Sequence, residues 1–126
     1  MKTGRWLTGI GGVILFLTGI GHGTRIVQVQ KMIVDSGMKA PLDVLLKGCW
    51  LAFSGEMMAL AVIAVMASTM ASGGRIVLIC AATMVVNAGL LFHFLGLSFP
   101  VYVSATVAVF LLAGGLMQGN GPRRTN

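Results

Sequence analysis

The chain has 126 residues, 56% of them hydrophobic and 10% charged, with a mean hydropathy of +0.92. Ordinary soluble domains carry about a quarter charged residues, so this composition excludes one and makes the lipid bilayer the chain's first partner. Nine Lys and Arg against three Asp and Glu give a net charge of +6. The charges gather at the termini and between apolar runs, a pattern that suits anionic headgroups and excludes nucleic acid. One small membrane domain over residues 1–126 is expected, without a soluble catalytic module.

A helix that crosses about 30 Å of hydrocarbon needs about 20 apolar residues, so charge-free runs define the spans. The first lies between Arg5 and Arg25, covers roughly 6–24 and has His22 near its end. Lys2 and Arg5 ahead of this run, with Gly21 and Gly23 at its end, also suit a cleavable secretory signal over residues 1–23, although the run is long and glycine-rich for one. Ile26, Val29 and Ile33 then recur at helical spacing, with Arg25, Gln28 and Lys31 elsewhere on the wheel. The first helix is therefore expected to run on, amphipathic, to Asp35. Ser36-Gly37 stops it, Pro41 suits the start of the next helix, and Asp43 and Lys47 form an i, i+4 pair, so two helices protrude together.

The second span covers roughly 48–71, with Glu56 as its only charge, and ends at the turn Ser72-Gly73-Gly74-Arg75. From Ile76 to Pro122 there is no formal charge. The break at Gly96-Leu97-Ser98-Phe99-Pro100 divides this run into spans of roughly 76–97 and 100–118. The expected fold is an all-α integral membrane four-helix bundle with a protruding amphipathic hairpin between helices 1 and 2. With both termini inside, Lys2, Arg5, Arg75, Arg123 and Arg124 face Arg25, Lys31, Lys39 and Lys47 on the outer hairpin. The positive-inside rule then favours cytoplasmic termini in a bacterial inner membrane.

An ionisable residue at the bilayer centre costs about 2.5–3.5 kcal/mol on insertion scales, which makes His22, Glu56 and His93 the first functional candidates. His22 lies 17 residues beyond Arg5 and His93 18 beyond Arg75. Both imidazoles are therefore expected at one depth, about 25 Å along their helices. Level histidines on neighbouring helices could ligate a b-type haem, share a metal with a third ligand, or bind a quinone. A His at a helix end is equally well explained as an interfacial group bonded to water or a headgroup. No HExxH or CxxCH spacing is present.

Glu56 in its neutral form could donate to Asn87, Thr83 or Ser54 as a clamp between helices. It could instead exchange protons in a transport cycle or bind a cationic substrate, with Asn87 as a second polar group on the facing span. The methionines of the second span are soft potential copper ligands, but their spacing favours core packing. Gly19 to Gly23, Ala67 to Ala71, Ser104 to Ala108 and Gly115 to Gly119 are small-xxx-small pairs that permit close helix approach. Trp6, Trp50, Phe99 and Tyr102 read as interfacial anchors, and Cys49 and Cys80 lie at depths too different for a disulfide.

The order of features resembles small bacterial four-helix membrane proteins of the DoxX-like kind. Gly19-Ile20-Gly21-His22, Phe53-Ser54-Gly55-Glu56 and Gly73-Gly74-Arg75 carry the resemblance over most of the first three helices. It implies an integral membrane protein, and some members of that family are linked to oxidoreductase or redox-stress complexes. Small multidrug exporters are also four-helix chains with one essential membrane glutamate, but theirs is in the first helix and Glu56 is in the second.

Three functional readings follow. The first is a non-catalytic membrane subunit or structural and interaction protein, with a homo-oligomer or a membrane complex as its setting. The second is a redox subunit holding haem or quinone through His22 and His93. The third is a proton-coupled small-molecule carrier using Glu56. An enzyme acting alone is not expected, because no nucleophile, base and orienting group fall at compatible depths.

Overall fold

The computed structural model describes residues 2–119, which form helices and no strand. They are α1 (Lys2–Thr24), α2 (Ile26–Asp35), α3 (Leu42–Thr69), α4 (Gly74–Leu95) and α5 (Phe99–Gly119). Four rods, α1 continued by α2, then α3, α4 and α5, are long and apolar enough to cross a membrane. The fold is a helical bundle compatible with a multi-pass membrane protein. Arg123 and Arg124, on which part of the expected orientation rests, lie outside the described residues.

Local chemistry sets the helix ends. Gly37 has a φ of 67° and closes α2: its N–H donates to Val34 O at 3.1 Å while the Met38 N–H donates to Ile33 O at 3.3 Å. This double bond pattern satisfies carbonyls that the helix end would leave open. Gly96, with a φ of 61°, ends α4 in a related way by donating to Phe92 O at 2.9 Å. Pro100 sits in the first turn of α5, where its missing N–H has no helical acceptor to lose.

One boundary differs from the expectation of a first helix unbroken to Asp35. The chain pinches at Arg25, whose N–H donates to His22 O at 3.2 Å. The same carbonyl accepts the Trp50 indole N–H at 2.8 Å. A side chain from α3 thus takes a lone pair that regular helix would use, and α1 and α2 become separate elements.

Around the bundle the order is α1, α3, α4, α5: α1 packs along α3 and α5, and α4 packs along α5 and less extensively along α3. Leu15, Met57, Ala64, Val77, Met84 and Leu111 meet in the buried core. At 1.5 Å per residue, the 22-residue α4 and 21-residue α5 are about 33 and 32 Å long, close to a bilayer's hydrocarbon thickness. The 28-residue α3 is about 42 Å long, so its first turns and α2 extend beyond the α4–α5 pair. Val29 and Ile33 are the buried residues of α2, whereas Val27, Val34, Leu42 and Leu45 remain exposed.

The end that carries the α3–α4 turn is closed by small residues. A Cβ on Gly114 would collide with the Thr8 hydroxyl and stand 2.9 Å from Gly4 O. One on Gly74 would stand 2.9 Å from Gly115 O. Into this contact Gln118 donates Nε2–H to Thr8 Oγ1 at 2.8 Å and to Gly4 O at 3.3 Å. Thr8 in turn donates to Gly4 O at 3.0 Å. Thr8 is fully buried, and these bonds keep its hydroxyl from being an orphan in an apolar interior.

Candidate functional site

The residues singled out in the sequence lie in the hairpin half of the bundle, but they do not converge. His22, at the end of α1, stacks its ring on Trp50 of α3, with centroids 3.8 Å apart and planes 15° from parallel. Phe53 meets the same imidazole edge-on at 5.2 Å. Trp50 Nε1 also reaches the His22 carbonyl, and Ser54 Oγ, one turn on, donates to Trp50 O at 3.1 Å. A Cβ on Gly23 would be 3.5 Å from Ser54, an ordinary van der Waals contact, so α1 and α3 lie side by side there. His22 and Trp50 form a clip that holds α1 to α3 where the chain leaves the bundle.

His93 lies 19 residues from the start of α4 and His22 20 residues from the start of α1, so both are about 29–30 Å along their helices. They are not on neighbouring helices, as the paired-ligand expectation required. α1 and α4 are diagonal in the bundle order, and His93 is exposed. Its ring has an edge contact only with Phe94, 4.9 Å away, among the described residues. No group of three or more His, Cys, Asp or Glu gathers among the described residues.

Glu56 is exposed on α3, and among the described residues it has neither a hydrogen bond nor an ion pair. The clamp expected of it is absent: Ser54 donates to Trp50 O, and Thr83 donates within α4 to Ile79 O at 3.2 Å. Asn87 follows Met84 on the inward stripe of α4, and its Nδ2 is buried with no hydrogen-bond partner among the described residues. Glu56 is 13 residues from Thr69 and Asn87 13 from Gly74, which puts both about 20 Å from the α3–α4 turn. They share a depth without touching.

The remaining sequence candidates disperse as well. Met57 is in the core while Met66 and Met70 are exposed, so the second-span methionines are not one packed set. Cys49 is exposed and Cys80 buried, both as free thiols. Between α1 and α3 runs an open groove of about 260 Å³, lined by Gly12, Phe16, Leu17, Val62 and Met66 among others. No ionisable group lines it.

Trp50 is the structurally important residue that a search for ionisable groups passes over. Folding the chain about Ser36-Gly37 sets residue 22 against residues 50–53, so the hairpin pattern carries the signal for the His22 clip. Protein-family models, curated proteins and solved structures give no match to the chain. The functional reading accordingly stands on this geometry.

Proposed function

We propose that the protein is a non-catalytic membrane subunit of the structural or interaction type, crossing the bilayer four times and acting through its outer surface. The observation that carries this reading is the outward placement of Glu56 and His93 on a bundle whose interior is largely apolar, with the Asn87 amide as a buried polar group left without a partner among the described residues. Catalysis or transport needs convergent polar groups in a cleft or path. Here the fully buried Thr8 is bonded to its own neighbours, and the deep ionisable groups face the surroundings.

Axial haem ligation needs two imidazoles aimed at one iron. His22 is spent on Trp50, and His93 lies on the diagonal helix and faces away from it, which leaves the redox reading without support from geometry. A carrier needs Glu56 on an internal path, and it is on the outside. A DoxX-like relationship accords with a subunit role and would add the bacterial inner membrane, with both termini cytoplasmic, as its setting.

Site-directed photocrosslinking in intact membranes tests the reading, with the probe at Ala59 on the outer face of α3 and at Val109 of α5 for comparison. Discrete protein adducts are expected from the first position and lipid adducts alone from the second. Lipid adducts alone at both would overturn the reading. A b-type haem spectrum lost in His22→Ala would replace it with a redox subunit, and substrate-driven proton release lost in Glu56→Gln would replace it with a carrier.

A further inference from the structure

We propose that the outer face of α1 at the end with the α3–α4 turn, together with the adjoining wall of α3, holds one anionic phospholipid. Its phosphodiester rests on Lys2 and Arg5, and an acyl chain lies along the groove between the two helices. The site is apart from Glu56 and His93 and goes beyond the subunit reading, on which it does not depend.

Two hollows lie on this surface. One, of about 190 Å³, is lined by Lys2, Arg5 and Trp6. The other is the open groove of about 260 Å³, whose walls include Val13, Phe16 and Leu17 of α1 and Val62 and Met66 of α3. Lys2, Arg5, Gly9, Val13 and Phe16 follow one another at spacings of three or four residues, so both hollows share one stripe of α1. Gly9 stands between them, and a Cβ there would meet nothing within 4 Å. Glycine puts no side chain of its own between basic hollow and groove. At Gly12 the two helices close, since a Cβ would stand 2.6 Å from Val65 Cγ2, and this contact makes the floor of the groove.

Charge names the headgroup. Lys2 and Arg5 are exposed and have no ion pair among the described residues, and the chain's three acids, Asp35, Asp43 and Glu56, all lie in the hairpin half. In the hairpin, by contrast, Lys47 has Asp43 at 3.7 Å. Arg offers phosphate oxygens a planar fork and Lys a point charge. A zwitterionic headgroup would bring its own cation against these two, and an anionic one brings none.

Depth names the tail. Counted from Arg5, the groove begins at Gly12, about 10 Å on, and runs to Leu17, about 18 Å on. One leaflet holds about 15 Å of hydrocarbon, so a lipid whose phosphate sits at Arg5 lays the deeper part of its chain against Val13, Phe16 and Val62. A soluble acidic peptide would satisfy the cations but has nothing to place in a groove that no polar group lines.

The test is the quenching of a single tryptophan by brominated lipid in phosphatidylcholine vesicles. Trp6→Phe and Trp50→Phe clear the background. The reporter is Val13→Trp on the rim of the groove or Val109→Trp on α5, both at exposed positions and both about 15–16 Å from the turn end of their helices. Phosphatidylglycerol brominated on one acyl chain is compared with phosphatidylcholine brominated likewise, at equal mole fraction. At position 13 the anionic lipid should be preferred about 25-fold, from two basic residues at about 1 kcal/mol each, and at position 109 the two lipids should match. Arg5→Gln should lower the preference about fivefold, and Lys2→Gln with Arg5→Gln should remove it. Both residues are exposed, and an unchanged unfolding transition confirms that the fold is kept.

Equal quenching by the two lipids at position 13 would overturn the inference. So would a preference that survives Lys2→Gln with Arg5→Gln, since the headgroup would then be held elsewhere. Weak quenching by both lipids at position 13, with strong quenching at position 109, would put protein in the groove; that overturns the lipid site and leaves the subunit reading standing.

Discussion

The two ends of the bundle are built on different principles. At the end with the α3–α4 turn, Gly4, Gly74, Gly114 and Gly115 bring helices within backbone contact, and Gln118 ties α5 to α1 through Thr8. At the hairpin end one aromatic clip joins α1 to α3, while Phe92, Phe94, Leu97 and Phe99 of α4, α5 and their connection stay exposed. The first end closes α1, α4 and α5 on one another in its interior, although Trp6, Met70 and Leu116 stay exposed on its outside. The second leaves polar and apolar groups directed outward, His93 among them. Stability is concentrated where the packing is complete, and interaction is available where it is not.

Substitutions can break this contrast in a graded way. The largest effect is expected from Gly114→Val, which drives a branched side chain into Thr8 and Gly4 O; overpacking of this kind costs about 3 kcal/mol. Equilibrium unfolding in mixed detergent micelles measures it. Gly55→Val, on the open face, should leave the same transition within about 0.5 kcal/mol. Equal losses for the two would show that the ends are not packed differently.

Trp50→Ala comes next, at about 2 kcal/mol, since it removes both the stack on His22 and the indole hydrogen bond. Trp50→Phe should restore part of this by keeping a ring against the imidazole. Hydrogen exchange at residues 22–30 localises the effect, which should be faster exchange around the Arg25 pinch. Unchanged exchange there would refute the clip.

Gln118→Ala should cost about 1 kcal/mol by leaving the Thr8 hydroxyl with one partner fewer. A double-mutant cycle with Thr8→Ala should return a coupling of similar size, and additive losses would deny that contact. The smallest effect is expected from His93→Ala, within about 0.5 kcal/mol, as for other surface changes. A large loss of stability there would place the imidazole in a contact that the exposed position does not provide.

The helical architecture was legible because charge gaps and turn residues are explicit in the chain. Arg5, Arg25, Arg75, Ser36-Gly37 and Gly96 to Pro100 divide the rods almost where the structure does. Which face of each rod lies inside was not legible. α3, α4 and α5 are apolar all round, so a polar side chain on them carries no periodic signal that separates interior from exterior. That is why Glu56 reads as an interhelical clamp or a proton-exchanging group with nothing to mark it as outward, and His93 as a ligand or an interfacial group.

The order of helices was hidden for a related reason. Depth follows from counting residues and puts His22 and His93 level, but adjacency depends on side-chain fit. The contacts of α5 with both α1 and α4 separate those two histidines across the diagonal. The pinch at Arg25 also escaped the sequence, since a tertiary hydrogen bond from Trp50 accompanies it and Gly21 and Gly23 just before it read equally well as helix-packing positions.

The outward placement of Glu56 is the claim on which the functional account turns. Its most direct measurement is the collision accessibility of a nitroxide spin label at Glu56→Cys, in a Cys49→Ser, Cys80→Ala background, across a series of protein-to-lipid ratios. The account predicts strong broadening by dissolved oxygen and little by a water-soluble nickel chelate when the protein is dilute in lipid. Strong nickel accessibility at every ratio would place position 56 on an internal aqueous path and contradict the account.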